Sequence, residues 1–166
     1  MKILGIVGWS GSGKTSLVTR LIPVLIARGL EVSTLKHAHH DFDVDQPGKD
    51  SHAHRHAGAA EVMISSGRRW ALMHELRDEP ELSLDALIAR MTPVDLLLIE
   101  GFKTEAHDKI EVFRPVTGRD PLHPHDPHIV AVATDAALPD LDRPRLDLND
   151  TDAIAAFIRA HCGLDR

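Results

Sequence analysis

Gly8-Trp9-Ser10-Gly11-Ser12-Gly13-Lys14-Thr15 decides the reading of this chain. The octapeptide satisfies G-x-x-x-x-G-K-[ST] at every fixed position. Phosphate chemistry explains the spacing. Glycines without a Cβ let successive backbone N–H groups converge on one phosphate. A helix starting near Lys14 adds unpaired N–H groups and the positive end of its dipole. Lys14 then reaches the β- and γ-phosphates, the Thr15 hydroxyl is placed to ligate Mg²⁺, and Ser16 follows near the α-phosphate. The ligand class is a nucleoside triphosphate or a similar polyphosphate.

The flanks agree with a strand–loop–helix unit. Lys2–Val7 is a short apolar run with β-branched residues, which reads as a buried strand. Leu17, Leu21 and Leu25 recur at helical spacing beside Val18, Ile22 and Ile26, so a helix over Thr15–Arg28 buries a wide face. Pro23 interrupts it at a cost of about 3 kcal/mol and is expected to kink it; Gly29 ends it. Position 9 carries Trp9, where the deviant loop of partition and nitrogenase-type ATPases has a second lysine.

Further out, Glu31–His37, Glu61–Ser65, Arg69–Leu76, Val94–Ile99, Lys109–Phe113 and Ile129–Ala133 read as strands. Asp50–Ala60, Ser83–Met91 and Thr151–His161 read as helices, the first with Asp50 or Ser51 as N-cap. Ala38–Gly48 and Arg119–His128 lack periodicity and read as loops. Strands alternating with helices argue for an α/β fold with a mostly parallel sheet flanked by helices, and some antiparallel strands. The 166 residues are expected to form one domain, 1–166.

Composition removes other classes. With 19 Lys and Arg against 25 Asp and Glu, the formal net charge is −6, which argues against a sequence-independent nucleic-acid binder. No apolar run approaches the ~20 residues needed to cross a bilayer. The single cysteine, Cys162, cannot form an internal disulfide and fits the reducing cytoplasm.

A second acidic element follows. Val94-Asp95-Leu96-Leu97-Leu98-Ile99-Glu100-Gly101-Phe102-Lys103 resembles a Walker B strand. A carboxylate at the end of a buried strand beside the phosphate loop can hold Mg²⁺ or its water, and Glu100 is that residue. Gly101 is expected to let the backbone approach the γ-phosphate. Asp95 lies about 16 Å away along an extended strand and reads as structural. Lys14 and Glu100 are the catalytic candidates.

Three blocks together closely resemble the bacterial molybdopterin-guanine dinucleotide biosynthesis adaptor (MobB) family. They are Gly8–Thr15, the run Lys36-His37-Ala38-His39-His40-Asp41-Phe42-Asp43-Val44-Asp45-Gln46-Pro47-Gly48-Lys49-Asp50-Ser51, and Ile99-Glu100-Gly101-Phe102-Lys103. The long central run is the specific one. The resemblance covers essentially the whole chain. It implies a P-loop NTPase fold, a homodimer, GTP and Mg²⁺ as cofactors, and weak GTP hydrolysis. It also implies a partner, the guanylyltransferase that joins GMP to molybdopterin, and hence contact with molybdopterin or its guanine dinucleotide. By matching position, Ser10, Gly11, Ser12, Gly13, Lys14, Thr15 and Ser16 would hold phosphates, and Thr15 and Glu100 would serve the metal. Asp50 would reach the metal or a bound water, and Asp135 would read the guanine base. Phe102, Phe113 and Val116 are candidate dimer contacts.

Nine of the twelve histidines fall into three groups: His37, His39 and His40; His52, His54 and His56; His123, His125 and His128. One reading is a metal site, since imidazole suits Zn²⁺ and Ni²⁺; only His52 and His56 have the i, i+4 spacing for a site on one helix face. A second is an anion pocket, with Lys36 and Lys49, for a pterin phosphate or a partner's nucleotide. A third is a solvated surface. The alternatives to the adaptor reading are accordingly a nickel-insertion GTPase or a small-molecule P-loop kinase, whose lid would have to come from the short Arg114–Arg119 stretch.

Overall fold

A computed structural model describes residues 1–38 and 42–165. The chain divides into two compact units, Met1–His37 with Met91–Arg166, and Ala38–Arg90.

The first unit is built on six strands: β1 (Lys2–Val7), β2 (Val32–Lys36), β5 (Leu96–Glu100), β6 (Lys109–Phe113), β7 (Ile129–Thr134) and β8 (Arg145–Asp147). Their order is β2-β5-β1-β6-β7-β8, and every pairing is parallel. β5 is buried along its whole length, as expected of an unbroken apolar run inside a parallel sheet. Helices α1 (Lys14–Ala27) and α4 (Thr151–Cys162) share one core with the sheet: Leu17, Leu21 and Leu25 of α1 and Ile154 and Ile158 of α4 meet Leu4, Ile6, Leu96, Leu98, Ile110 and Val112. α1 continues through Pro23. Asp150 caps α4 by accepting from Ala153 N–H at 2.9 Å, and Gly163 ends it at φ +66°. A second cluster joins Val7, Phe113, Ile129 and Val132 to Leu122, Leu138 and Leu141.

In the second unit, β3 (Glu61–Ser65) and β4 (Trp70–His74) form an antiparallel hairpin. Its turn is held by Ser66, whose Oγ accepts from Arg68 N–H at 3.3 Å and Arg69 N–H at 3.2 Å. Helix α2 (Asp50–His56) is shorter than expected, and its N-cap is Lys49 in extended conformation, not Asp50 or Ser51. Helix α3 is only Leu84–Ile88, capped by Ser83. An ionic cluster ties α2 to the loop before it. Arg55 of α2 grips Asp45 with two bonds of 2.8 and 3.1 Å and Asp43 with a third of 2.6 Å. Asp45 is buried, and the Arg55 hydrogen bond holds its carboxyl below the usual aspartate value.

β8 was not foreseen: three residues with two charges carry no strand pattern. Of the candidate dimer contacts, Phe102 and Phe113 are buried within this chain, whereas Val116 is 82% exposed.

Candidate functional site

The phosphate loop begins where β1 stops. Gly8 has φ +143°, and a Cβ there would lie 2.4 Å from the Val112 carbonyl of β6, so only glycine lets the loop leave this close to its neighbour. Gly13 is the N-cap of α1 at φ +100°, with no side-chain cap and no acid in the first turn. The first intrahelical bond runs from Leu17 N–H to Gly13 C=O at 2.9 Å. The N–H groups of Lys14, Thr15 and Ser16 therefore have no acceptor inside the helix, and they stand at the positive end of its dipole, an anion site by construction. The Ser12 N–H donates to Trp9 C=O at 3.1 Å, and its side chain is wholly buried. Ser10 and Gly11 lie exposed on the rim.

Lys14 folds back over the loop, its Nζ donating to Trp9 C=O at 3.0 Å. Burial lowers its pKa from the ordinary lysine value; Glu100 opposes this, and the charges of Lys36 and Lys103 add to it. A cation held at the cost of desolvation and of two like charges is set up to receive an anion.

Glu100 is placed by the sheet. It ends β5, in register with Ile6 of β1 on one side and with Lys36, the last residue of β2, on the other. The Thr15 hydroxyl donates to Glu100 Oε1 at 2.6 Å. Lys36 Nζ lies 3.3 Å from the same oxygen and donates to Thr15 Oγ1 at 3.5 Å. The structure thus brings together the two sequence-predicted metal residues of this unit, and their hard oxygen donors suit Mg²⁺. That a cationic head rests against both shows that the spot favours positive charge.

Gly101 works otherwise than expected. Its N–H is taken by Ile6 C=O at 3.2 Å, so it has no donor left for a phosphate. Its φ is +96°, and a Cβ would press on His37 Cβ at 3.0 Å. Phe102 follows at φ +51°, an uncommon conformation for a bulky residue, and stacks on His37 with ring centroids 4.5 Å apart. Lys109, 1% exposed, then pins the loop by donating to the carbonyls of Lys103 and Glu105 at 3.1 and 2.6 Å, with Asp126 as its counter-ion at 2.6 Å. Lys103 thereby sits 4.2 Å from the Trp9 ring centre, and Arg119 5.6 Å from it. Trp9 is fixed by its indole N–H donating to Asp120 C=O at 2.8 Å.

Asp135 follows β7 and is engaged by Arg114, whose Nε donates to its Oδ2 at 2.8 Å. Asp50 opens α2 and is exposed. Asp95 accepts from Glu31 N–H at 2.9 Å, the structural role expected of it. His52 and His56 stack at 3.9 Å. His39, His40 and Asp41 lie outside the described residues. Among the described residues, no group of three or more His, Cys, Asp and Glu side chains is arranged to hold a metal. Sequence reasoning missed Glu111 of β6, which is fully buried and accepts from Leu122 N–H, His123 N–H and the His123 ring at 2.7, 2.9 and 2.9 Å. A single Glu inside an apolar strand was the available signal. It also missed the pairing of Lys36 with Glu100, which only strand order reveals.

Known proteins resemble this chain over most of its length. The sequence profile of the family described as "MobB: Molybdopterin guanine dinucleotide synthesis protein B" fits residues 3–135. The molybdopterin-guanine dinucleotide biosynthesis adapter protein of Escherichia coli K12 is 48% identical over 159 residues, spanning 94% of this chain and 90% of its own. Its counterpart in Haemophilus influenzae Rd is 45% identical over 158 residues, spanning 94% and 86%. A crystal structure of molybdopterin-guanine biosynthesis protein B aligns with a TM-score of 0.75 at 30% identity, over 96% of this chain and 99% of that one.

Proposed function

The chain belongs to the MobB family, and from that premise we propose that it is a GTP-binding adaptor in molybdenum-cofactor maturation. Its partner is the guanylyltransferase that forms molybdopterin guanine dinucleotide from molybdopterin. The observation that carries the nucleotide part is the Thr15–Glu100 contact of 2.6 Å at the mouth of the phosphate loop. Mg²⁺ held by Thr15 and Glu100 would neutralise charge on the β- and γ-phosphates. The chain's own groups do the rest. The free amides at the start of α1 bind the phosphates, and Lys14 exchanges the Trp9 carbonyl for phosphate oxygens. Asp135, oriented by Arg114, accepts the N1–H and N2–H of guanine.

Hydrolysis is slow on this reading. Lys14 stabilises charge on the transferring phosphoryl group, while the phosphate loop and the strand ending at Glu100 carry no glutamine in sequence to orient water. The working form is a homodimer. In favour of this, Met63 and Leu72 are register partners in the β3–β4 hairpin and, with Trp70, are 64%, 45% and 68% exposed. A two-stranded ribbon gains stability when another surface covers it.

Calorimetric titration with GTP and then ATP, each with Mg²⁺, tests the reading. A clear preference for GTP supports it, and Asp135→Ala should then erase the preference. Equal affinity, or a preference for ATP, removes the guanine argument.

A further inference from the structure

Lys36 touches both oxygens that a divalent cation would use here, and the proposed function gives it no task. Its Nζ is 3.3 Å from Glu100 Oε1 and 3.5 Å from Thr15 Oγ1. We propose that Lys36 is a metal-gated ligand of the terminal phosphate: it is the counter-ion of Glu100 and Thr15 until Mg²⁺ binds, and it then turns to the γ-phosphate. This rests on the nucleotide and Mg²⁺ reading above.

A hydroxyl has one proton and two lone pairs. The Thr15 proton is committed to Glu100 Oε1, and a lone pair of Oγ1 faces Lys36. An ammonium and a divalent ion in contact with the same two oxygens repel strongly, so Lys36 yields its contacts when the metal arrives. It is built to yield. Its backbone is fixed in β2 by pairing with β5, but its side chain is 57% exposed while that of Glu100 is 11% exposed. The head can swing on its four-carbon stem without disturbing the core. A polyphosphate held by the loop would bring its outer end to this same rim as a new acceptor. Lys14 and Lys36 thus divide the work. Lys14 is bonded to the loop itself and is present for any phosphate, whereas Lys36 is released only when the metal is bound.

The test uses the full chain and Lys36→Met, which keeps the apolar stem and removes the charge. Mg²⁺ is titrated into the GDP complex, and GTP and GDP affinities are compared at saturating Mg²⁺. In the variant, Mg²⁺ should bind the GDP complex about five- to tenfold more tightly, because no counter-ion is displaced. The preference for GTP over GDP should shrink about tenfold with the loss of a charge-assisted bond to phosphate. Lys36→Arg should restore that preference. Unchanged or weaker Mg²⁺ binding in Lys36→Met overturns the counter-ion role, and an undiminished GTP preference overturns the phosphate role. If the unaltered chain binds both nucleotides without regard to Mg²⁺, the underlying reading fails and this one with it, a result distinct from either.

Discussion

Two glutamates flank β1 at nearly the same height, one on each side. Glu100 of β5 is in register with Ile6, and Glu111 of β6 is in register with Val7. Both are buried, yet their surroundings differ in kind. Glu111 accepts two backbone N–H groups and an imidazole; its partners belong to the Leu122–His123 segment, and it fastens that segment to the sheet. Glu100 accepts a hydroxyl from the phosphate loop and faces an exposed lysine head. A buried carboxylate satisfied by backbone cannot change partners without loosening the fold. One satisfied by a hydroxyl and a mobile cation can exchange them for a ligand. On the proposed function, the difference separates a structural acid from a working one.

Substitution should break this comparison cleanly. Glu111→Ala leaves buried donors without an acceptor and should cost about 3–4 kcal/mol, read from urea unfolding; a loss below about 1 kcal/mol contradicts the anchoring role. Lys14→Ala removes the charge that meets the phosphates and should weaken triphosphate binding about 100-fold with little change in the unfolding midpoint. Unchanged binding would sink the phosphate-loop assignment. Glu100→Gln keeps a shape that fits and should shift stability by less than about 1 kcal/mol, while Mg²⁺-dependent turnover falls about tenfold; if turnover holds, Glu100 is structural like Glu111.

The smallest effect sharpens the role of burial. His74 also meets carboxylates, Glu61 at 2.9 Å and Glu79 at 3.4 Å, but all three side chains are substantially exposed. Hydrogen bonds to the two acids raise its pKa above the ordinary 6.5. A folded value above the unfolded one means that the contact stabilises fully below the ordinary value and is lost as pH climbs through the raised one. The gap in unfolding midpoint between the unaltered chain and His74→Gln should therefore close at alkaline pH, and a gap that widens there contradicts the assignment.

Much of this contrast was legible in the residues. Lys2–Val7, the phosphate loop and the start of α1 follow from an apolar run, glycines and a 3.6-residue repeat that all agree. Glu100 stood out because it ends the most apolar strand. The α2 cap was misplaced because Asp50 offers a better capping side chain than Lys49, yet the helix begins one residue earlier without a side-chain cap. Lys36 and Glu100 are 64 positions apart in sequence, and only the insertion of β5 between β2 and β1 makes them neighbours. The burial of Phe102 depends on two successive left-handed residues, which no periodicity encodes.

The central claim is that Glu100 and Thr15 hold the metal that the nucleotide brings. Its most direct test is the GTP affinity with and without Mg²⁺ in the unaltered chain, in Glu100→Gln and in Thr15→Ala. The account predicts tighter GTP binding with Mg²⁺ in the unaltered chain, and loss of that gain in both variants with the folds intact. A Mg²⁺ gain that survives both substitutions would contradict it and place the metal elsewhere.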